Sequence, residues 1–574
     1  MKKQHDLIIR GGTIVDGTGR PPFKADLAVR DRIIVAIGEI EDEAEEEIDA
    51  TDCIVTPGFV DVHTHYDGQI TWENRLVPSS NHGVTTVLMG NCGVGFAPVR
   101  PGDEGLMIRL MEGVEDIPEV VMADGVPFDW SSFPEYMDAI EARPSDVDFA
   151  AQIPHSPLRV FVMGRRGADL EPPTEDDLAQ MTRLTREAVE AGALGVSTSR
   201  YLFHRFRSGE HVPSARSSLD ELNALGAGLR EAGTGVFQCI PSIDGDPAEE
   251  VAVMKAIACT SRRPVNFSLI HNPAQPAGWE TYVRAISDAR GEGIELNGQF
   301  SARSTGVLLG LDLTFHPFAL NPSYRPLADL PLDEKVERMR DPGLRARLIA
   351  EDIDDPNPMF RMLLERLTTI FRLGDPADYD FRTDDSLQAE AEREGRNARD
   401  VIYDALLEDE GRAVLCAFGN EVQDYLARTA PLIGRDNMIV ALGDGGAHYG
   451  MICDAAYTTF MLTGRLGRDG LDLPTAVRSL TSQPALSVGL GDRGVLAPGY
   501  KADVNVINLD RLTLRRPHVR RDLPAGGRRL AQGAEGYVAT VVSGVVTHRD
   551  DCSTGALPGR LVRGQRAAPG PFAA

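Results

Sequence analysis

The chain has 574 residues, of which 42% are hydrophobic and 25% are charged. This apolar content is enough for a large core and argues against a disordered chain. The 86 acidic and 59 basic residues give a net charge of −27, which argues against nucleic acid or an anionic membrane as the main partner. No apolar run approaches the ~18 residues that span a bilayer.

The seven cysteines are scattered along the chain and never form a C-x-x-C pair. An odd number without regular spacing predicts neither a disulfide framework nor a zinc ribbon. The chain also starts without the long apolar segment of a secretory signal. These features together predict a protein of the reducing cytoplasm.

Both ends of the chain show short alternating apolar runs separated by turn residues. Residues 1–57 contain several such runs, and residues 499–507 repeat the pattern near the other end. We predict one small β-sandwich domain built from residues 1–57 and 486–574. It would flank a larger hydrolase domain, residues 58–485.

Residues 58–485 alternate amphipathic helices with short apolar strands, which is typical of parallel strands joined by right-handed crossovers. The strand candidates number eight and lie at residues 59–63, 84–89, 149–153, 194–197, 236–240, 265–270, 294–296 and 438–443. Eight is the number that closes a (β/α)₈ barrel of the TIM type. A long, charged, mostly helical insertion is expected at about 301–436. A Rossmann-like open sheet is disfavoured because no G-x-G-x-x-G follows an early strand.

Active sites of such barrels lie at the carboxyl ends of the strands. The first strand ends in His63-Thr64-His65, and residues two apart in an extended chain project to the same face. Both imidazoles can therefore face the barrel mouth and bind one divalent ion. An isolated H-x-H pair is weak evidence, but its place after the run Thr56–Asp61 strengthens it.

Two further strand ends carry groups of the same chemistry. Cys92 follows the second strand among glycines, and as a thiolate it would be an anionic zinc ligand; a packed thiol at a turn is the alternative. Asp444 follows the eighth strand, where a carboxylate can accept a proton from water and return it to a leaving amine. Its alternative is a purely structural Asp-Gly-Gly turn.

Several of these motifs resemble one known family. They are, above all, the runs at residues 56–65, 83–93, 153–159, 192–198, 442–448, 481–485 and 490–503. They are similar to the N-acyl-D-amino-acid deacylase (D-aminoacylase) family of the amidohydrolase superfamily. The resemblance implies a metal-dependent (β/α)₈ hydrolase in which the cysteine of Gly-Asn-Cys-Gly ligates zinc. It covers most of the chain apart from the insertion.

The chain departs from the family at two expected ligand positions. The family has metal-binding histidines at the ends of the fifth and sixth strands, where this chain aligns Ile240 and Leu269. Neither side chain can donate to a metal. One ion held by His63, His65, Cys92 and Asp444 is the favoured hypothesis, and a second ion with a replacement ligand from His271 stays open.

Four residues near the strand ends are candidates for binding substrate. They are His155, Tyr201, His271 and His448. His155 has a turn-stabilising role as its alternative, and Tyr201 would form a wall of the pocket or donate a hydrogen bond. His271 lies where the family carries a lysine thought to meet the substrate carboxylate.

The expected activity is metal-dependent hydrolysis of an amide C–N bond in a small N-acylated compound, most simply an N-acyl-D-amino acid. Zinc is the expected ion. Two alternatives stay open: a hydrolase of cyclic amides or other C–N bonds, and an inactive barrel that serves as a binding module. The expected partner is the small-molecule amide substrate, with neither nucleic acid nor membrane. The insertion is expected to serve as a lid, a contact within a homo-oligomer, or both.

Overall fold

A computed structural model describes residues 4–352 and 370–570 of the chain. Within these residues, the first strands are β1 (His5–Ile14), β2 (Phe23–Arg30), β3 (Ile33–Gly38), β4 (Ala44–Asp49) and β5 (Ile54–Pro57). The middle strands are β6 (Phe59–Asp61), β7 (Val84–Met89), β8 (Asp148–Ala151), β9 (Ile153–Pro154), β10 (Gly195–Ser199), β11 (Val236–Ile240), β12 (Val265–Ser268), β13 (Leu296–Phe300), β14 (Gly306–Leu309), β15 (Ile370–Arg372), β16 (Leu415–Phe418) and β17 (Met438–Val440). The last strands are β18 (Val504–Ile507), β19 (Thr513–Leu514), β20 (His518–Arg520), β21 (Arg529–Ala531), β22 (Ala534–Glu535), β23 (Tyr537–Val542), β24 (Val545–Arg549) and β25 (Cys552–Ser553).

The helices of the described residues follow the strands along the chain, and those outside the insertion alternate with the parallel strands. They span Gln69–Trp72, Glu104–Glu115, Glu119–Gly125, Phe133–Glu141, His155–Met163, Arg165–Ala168, Glu175–Glu190, Leu219–Ala232, Pro247–Ser261, Pro276–Gly291, Leu332–Met339, Pro342–Ala350, Leu387–Glu394, Ala398–Leu407, Val422–Thr429, Tyr457–Phe460, Leu473–Leu480 and Ser482–Ser487. Thr174 and Asp177 begin one of them with a capping box, as their spacing predicts. Across residues 4–352 and 370–570, none of these helices is both long and apolar enough to cross a membrane.

The parallel strands form two hydrogen-bonded groups that contain all eight predicted strands. One group has the order β6-β7-β8 and the other has the order β17-β13-β12-β11-β10-β9. Only Gln152 separates β8 from β9, and its backbone N–H donates to the Met89 oxygen at 3.0 Å. The segments after β6 and β17 are joined by two backbone hydrogen bonds, from Asp444 to His63 at 3.1 Å and from His65 to Gly445 at 2.7 Å. The ends of the first and last predicted strands are therefore adjacent.

Both ends of the chain contribute strands to a single mixed sheet. Its order is β25-β24-β23-β18-β5-β1-β2-β3, and β4 pairs with β1 beside this path. The sheet buries a core that includes Leu7, Ile9, Val504 and Val541. The alternating runs at the two ends therefore form strands that pair with each other, whereas the exact domain bounds stay a prediction.

The insertion at about 301–436 contains more strand than its sequence predicts. Strands β14 and β15 pair antiparallel with β16, and this three-stranded sheet shares a separate core with the helices of the insertion. Strands of three or four residues are too short to show a clear alternation, which explains why the sequence predicted a mostly helical insertion. Residues 353–369 of the predicted insertion lie outside the described residues.

The C-terminal segment 559–566 crosses the amino ends of the parallel strands. The Val562 N–H donates to the Phe149 oxygen and the Gly564 N–H to the Gly192 oxygen, each at 2.8 Å. Val562 is buried in a cluster with Leu88 and Leu194. The segment therefore closes the end of the parallel strands opposite to the predicted active site.

We expect Val562→Ala to lower the free energy of unfolding by about 2 kcal/mol, because the substitution leaves a cavity among buried side chains. Urea denaturation followed by circular dichroism measures the change. Val545→Ala is the matched control, since 43% of the Val545 surface is exposed. Equal denaturation midpoints for the two variants would show that the segment does not contribute to the core.

Candidate metal centre

Four side chains from three separate segments meet at the carboxyl ends of the parallel strands. Cys92 Sγ lies 3.2 Å from His63 Nε2 and 3.6 Å from His65 Nε2. Asp444 Oδ1 lies 3.5 Å from His63 Nε2 and 3.7 Å from His65 Nε2. The structure thus brings together the four residues that the sequence predicts as metal ligands.

The spacing of the donor atoms suits a small divalent ion. Tetrahedral zinc with bonds of about 2.0–2.3 Å separates neighbouring donor atoms by about 3.3–3.8 Å. The four distances given above, between 3.2 and 3.7 Å, are close to this range. Among the described residues, His63, His65 and Cys92 form the set whose donor atoms all lie within 4.8 Å of one another, and Asp444 adds a carboxylate close to both histidines. Two imidazoles, a thiol and a carboxylate are also the donor types that zinc prefers.

The second nitrogen of each histidine faces an acceptor on the protein. His63 Nδ1 lies 3.2 Å from Gln299 Oε1, and His65 Nδ1 lies 3.4 Å from Glu115 Oε1. Such partners orient the rings of metal-binding histidines and leave Nε2 free to donate to an ion. The hydrogen-bond acceptors opposite the Nδ1 atoms of His63 and His65 are therefore also typical of a metal site.

The turns that carry the centre have unusual backbone conformations. Cys92, Asp444 and His448 adopt φ values of 58°, 47° and 52°. Left-handed backbone at non-glycine residues carries an energetic cost and is concentrated at functional sites. Gly90, two residues before Cys92, lies very close to the backbone of Gln152. A Cβ at Gly90 would be only 2.2 Å from the Gln152 backbone oxygen, so a larger residue would not fit there.

The centre contains several buried acidic groups, and burial disfavours their charged forms. Burial raises the pKa of Cys92 to about 12 and the pKa of Glu115 to about 7, and His65 opposes both shifts. Burial also acts to raise the pKa of Asp444, but the contacts with His65 and His63 outweigh it and hold this pKa below its usual range. A bound cation would offset the cost of burying these groups.

Sequence reasoning missed Glu115, which is only 1% exposed. Its carboxylate lies 3.4 Å from His65 Nδ1 and 3.5 Å from His448 Nε2. One signal was available, since Glu115 follows Ile108 and Met111 at helical spacing and so lies on the buried face of its helix.

His448 lies beside the centre, where its Nε2 is 3.5 Å from Glu115 Oε2. Tyr201 packs against a different histidine, His204. Burial lowers the pKa of His448 to about 4; the Asp444 carboxylate opposes this shift, and His65 and His63 add to it. Burial likewise lowers the pKa of His204 to about 3, and His448 and His65 lower it further. Tyr201 contacts the His204 ring edge-on at 5.2 Å. Tyr201 therefore packs against His204, a histidine whose pKa responds to charges of the centre.

The structure corrects the expectation for His155. Its Nδ1 lies 2.8 Å from Thr198 Oγ1, and its Nε2 lies 2.9 Å from Glu221 Oε1. A helix begins at His155, and Glu221 belongs to the helix Leu219–Ala232. Because both ring nitrogens are occupied within the fold and the side chain is fully buried, neither is free for a substrate.

His271 is also placed away from the centre. Its Nδ1 lies 2.6 Å from Asn420 Oδ1, and its ring packs edge-on against Trp279 at 5.8 Å. Strand β12 ends at Ser268. The side-chain alternation of a strand therefore does not extend to His271, and it does not predict which way the His271 side chain points.

The register between β11 and β12 shows that the Leu269 side chain does not point towards the carboxyl-end site. Cys239 is paired with Phe267, so Ser268 follows on the face of Ile240. Leu269 instead lies near Gly298 beside Ile286 of a neighbouring helix. Neither Ile240 nor Ser268 offers the imidazole that the resemblance leads one to expect.

Comparisons with known proteins agree with these motifs. A sequence model of the amidohydrolase family matches residues 46–548. The chain is 30% identical over 549 residues to an uncharacterized protein of Mycobacterium tuberculosis, which covers 88% of this chain and 84% of the relative. It is 27% identical over 574 residues to the D-aminoacylase of Alcaligenes xylosoxydans, and this match covers 97% of each of the two chains.

A solved structure shows a similar fold. The N-acyl-D-glutamate deacylase of Bordetella bronchiseptica, in complex with zinc and a phosphonate inhibitor, matches with a TM-score of 0.65 and 23% identity over 98% of this chain and 100% of that chain. The chain is therefore a metal-dependent hydrolase that belongs to the amidohydrolase family.

Proposed function

We propose that the chain hydrolyses the amide bond of N-acyl-D-amino acids. The observation that carries this proposal is the meeting of His63, His65, Cys92 and Asp444 at the ends of parallel strands. The substrate class is supported by the similarity to D-aminoacylase along almost the whole length of both chains. The cytoplasmic location and a homo-oligomeric state stay predictions.

The proposal includes a closed (β/α)₈ barrel with the site in its mouth. The nine parallel strands of the two groups, of which β8 and β9 correspond to one predicted strand, support it together with the backbone hydrogen bonds that join the segments after β6 and β17. In such barrels the residues at the carboxyl ends of the strands perform the chemistry.

His63, His65, Cys92 and Asp444 would hold one divalent ion, most simply zinc. When bound, the ion supplies a Lewis acid that polarises the amide carbonyl and makes water more acidic. One ion is favoured over two because Ile240 and Ser268 take the places where further imidazoles would be needed.

Asp444 would perform the proton transfers. Asp444 lines a pocket together with Gly443, Tyr449 and Cys453. Because its pKa lies below the usual range, the group is ionised and ready to accept a proton from the attacking water. The same carboxyl group then returns the proton to the departing amine.

Arg303 is suited to receive the carboxylate of the substrate. Its Nη2 donates to the Cys453 oxygen at 2.9 Å and to Asp454 Oδ1 at 2.7 Å, and both residues line the cavity beside Asp444. Its guanidinium stacks on the Tyr379 ring, with Cζ 3.6 Å from the ring centroid, and within the described residues its buried Nε and Nη1 make no hydrogen bond of good geometry. Buried donors without partners are costly, so a ligand carboxylate would satisfy them.

We expect Arg303→Lys to raise KM for N-acyl-D-amino acids about 10- to 100-fold, since it keeps the charge beside Asp454 but loses the planar donor fork. Steady-state kinetics on a panel of N-acyl-D-amino acids, N-acyl-L-amino acids and cyclic amides measures this effect. An N-acylated amine without a carboxylate is the control substrate, and its KM should not change. Activity of the native enzyme on cyclic amides alone would contradict the proposed substrate.

A further inference from the structure

We propose that Glu115 is a positioning residue that joins the metal ligand His65 to the loop that carries Asp444. This inference rests on the proposed function, because it assigns Glu115 a role in shaping the same centre. Glu115 is remote in sequence from both segments and reaches them from the end of the helix Glu104–Glu115.

The Glu115 carboxylate lies between two imidazoles from different segments. Its Oε1 is 3.4 Å from His65 Nδ1, and its Oε2 is 3.5 Å from His448 Nε2. Oε1 and His65 Nδ1 are both buried, and neither makes a hydrogen bond of good geometry within the described chain, so their contact is the 3.4 Å ion-pair approach between them. The two atoms therefore face each other alone.

The backbone of Glu115 holds the same loop. Its carbonyl oxygen accepts a hydrogen bond from the His448 N–H. The loop after Asp444 is thus fixed to Glu115 by one main-chain contact and one side-chain contact. Only three residues separate Asp444 from His448, so the position of His448 restricts where the Asp444 carboxylate lies.

Neighbouring contacts keep the helix end in place. Asp116 adopts a φ of 51° and ends the helix. Its Oδ2 accepts hydrogen bonds from the Gly450 N–H at 3.2 Å and from Thr314 Oγ1 at 3.1 Å. The Thr314 N–H in turn donates to the Gly450 oxygen at 3.0 Å. The insertion therefore supports the loop from its other side.

The expected consequence concerns metal binding as well as turnover. An acceptor opposite Nδ1 orients the His65 ring and strengthens Nε2 as a donor, and loss of such a partner typically costs 10- to 100-fold in metal affinity or activity. Because Glu115 also holds the loop of Asp444, its removal should lower kcat more than it changes KM.

The test compares Glu115→Ala and Glu115→Gln with the native protein. Zinc dissociation constants are measured by competition with a chromophoric chelator, kcat and KM by steady-state kinetics, and folding by thermal melting of the metal-free proteins. We expect the alanine variant to bind zinc 10- to 100-fold more weakly. The glutamine variant, which keeps an acceptor for His65, should lose affinity by a smaller factor of about three to ten.

Glu112→Gln is the matched control, since Glu112 lies one turn earlier on the same helix and pairs with Arg207 at 3.4 Å. It should bind zinc as the native protein does. Native affinity within twofold in both Glu115 variants, with the native protein binding zinc, would overturn the positioning role. If the alanine variant does not fold, the glutamine variant alone decides by the same criterion. A native protein that binds no zinc would instead overturn the proposed function.

Discussion

Replacing Asp444 with asparagine is expected to lower kcat by about 10²- to 10⁴-fold, the usual contribution of a general acid–base group. Zinc content should persist, because asparagine keeps an oxygen and the three donor atoms of His63, His65 and Cys92 are untouched. Steady-state kinetics and elemental analysis of the same preparation measure the two effects. The separation of turnover from metal content is the decisive feature of this prediction.

Asp436→Asn is the matched control for this variant. Asp436 precedes β17 in the same part of the chain, and it pairs on the surface with Arg290 at 2.9 Å and Arg478 at 3.2 Å. It should leave kcat unchanged. Native turnover in Asp444→Asn would remove Asp444 from the proton transfers.

Replacing Cys92 with alanine is expected to remove both the metal and the activity. The thiol lies close to both histidines, and losing a direct ligand should cost more than the 10- to 100-fold seen when a supporting partner is lost. Chelator competition and elemental analysis measure the loss.

Cys239→Ala provides the comparison for a buried cysteine without a metal role. Cys239 lies within β11 and is paired with Phe267, on the face opposite to Ile240. This variant should keep its zinc and its activity, apart from a modest loss of stability. Equal zinc content in the two cysteine variants would contradict the assignment of Cys92 as a ligand.

The sequence was sufficient to predict the positions of those site residues that follow directly from the periodicity of a strand. His63 and His65 share a face because they are two residues apart, and Cys92 and Asp444 follow strands that were readily recognised. The structure brings Cys92 and Asp444 each within hydrogen-bonding or ion-pair distance of both histidines.

Residues whose position depends on packing between elements were harder to place. Glu115 reaches His65 only because its helix lies across the strand ends, and no local pattern encodes that arrangement. His155 begins a helix rather than extending a strand, so its nitrogens meet Thr198 and Glu221. Leu269 and His271 follow the end of β12, where alternation no longer predicts direction.

The most direct test of the account is a crystal structure of the zinc-reconstituted protein with anomalous data collected at the zinc absorption edge. We predict one anomalous peak about 2.0–2.3 Å from His63 Nε2, His65 Nε2, Cys92 Sγ and an Asp444 oxygen. Absence of a peak among these four residues after reconstitution, or a peak held by other residues, would contradict the central claim.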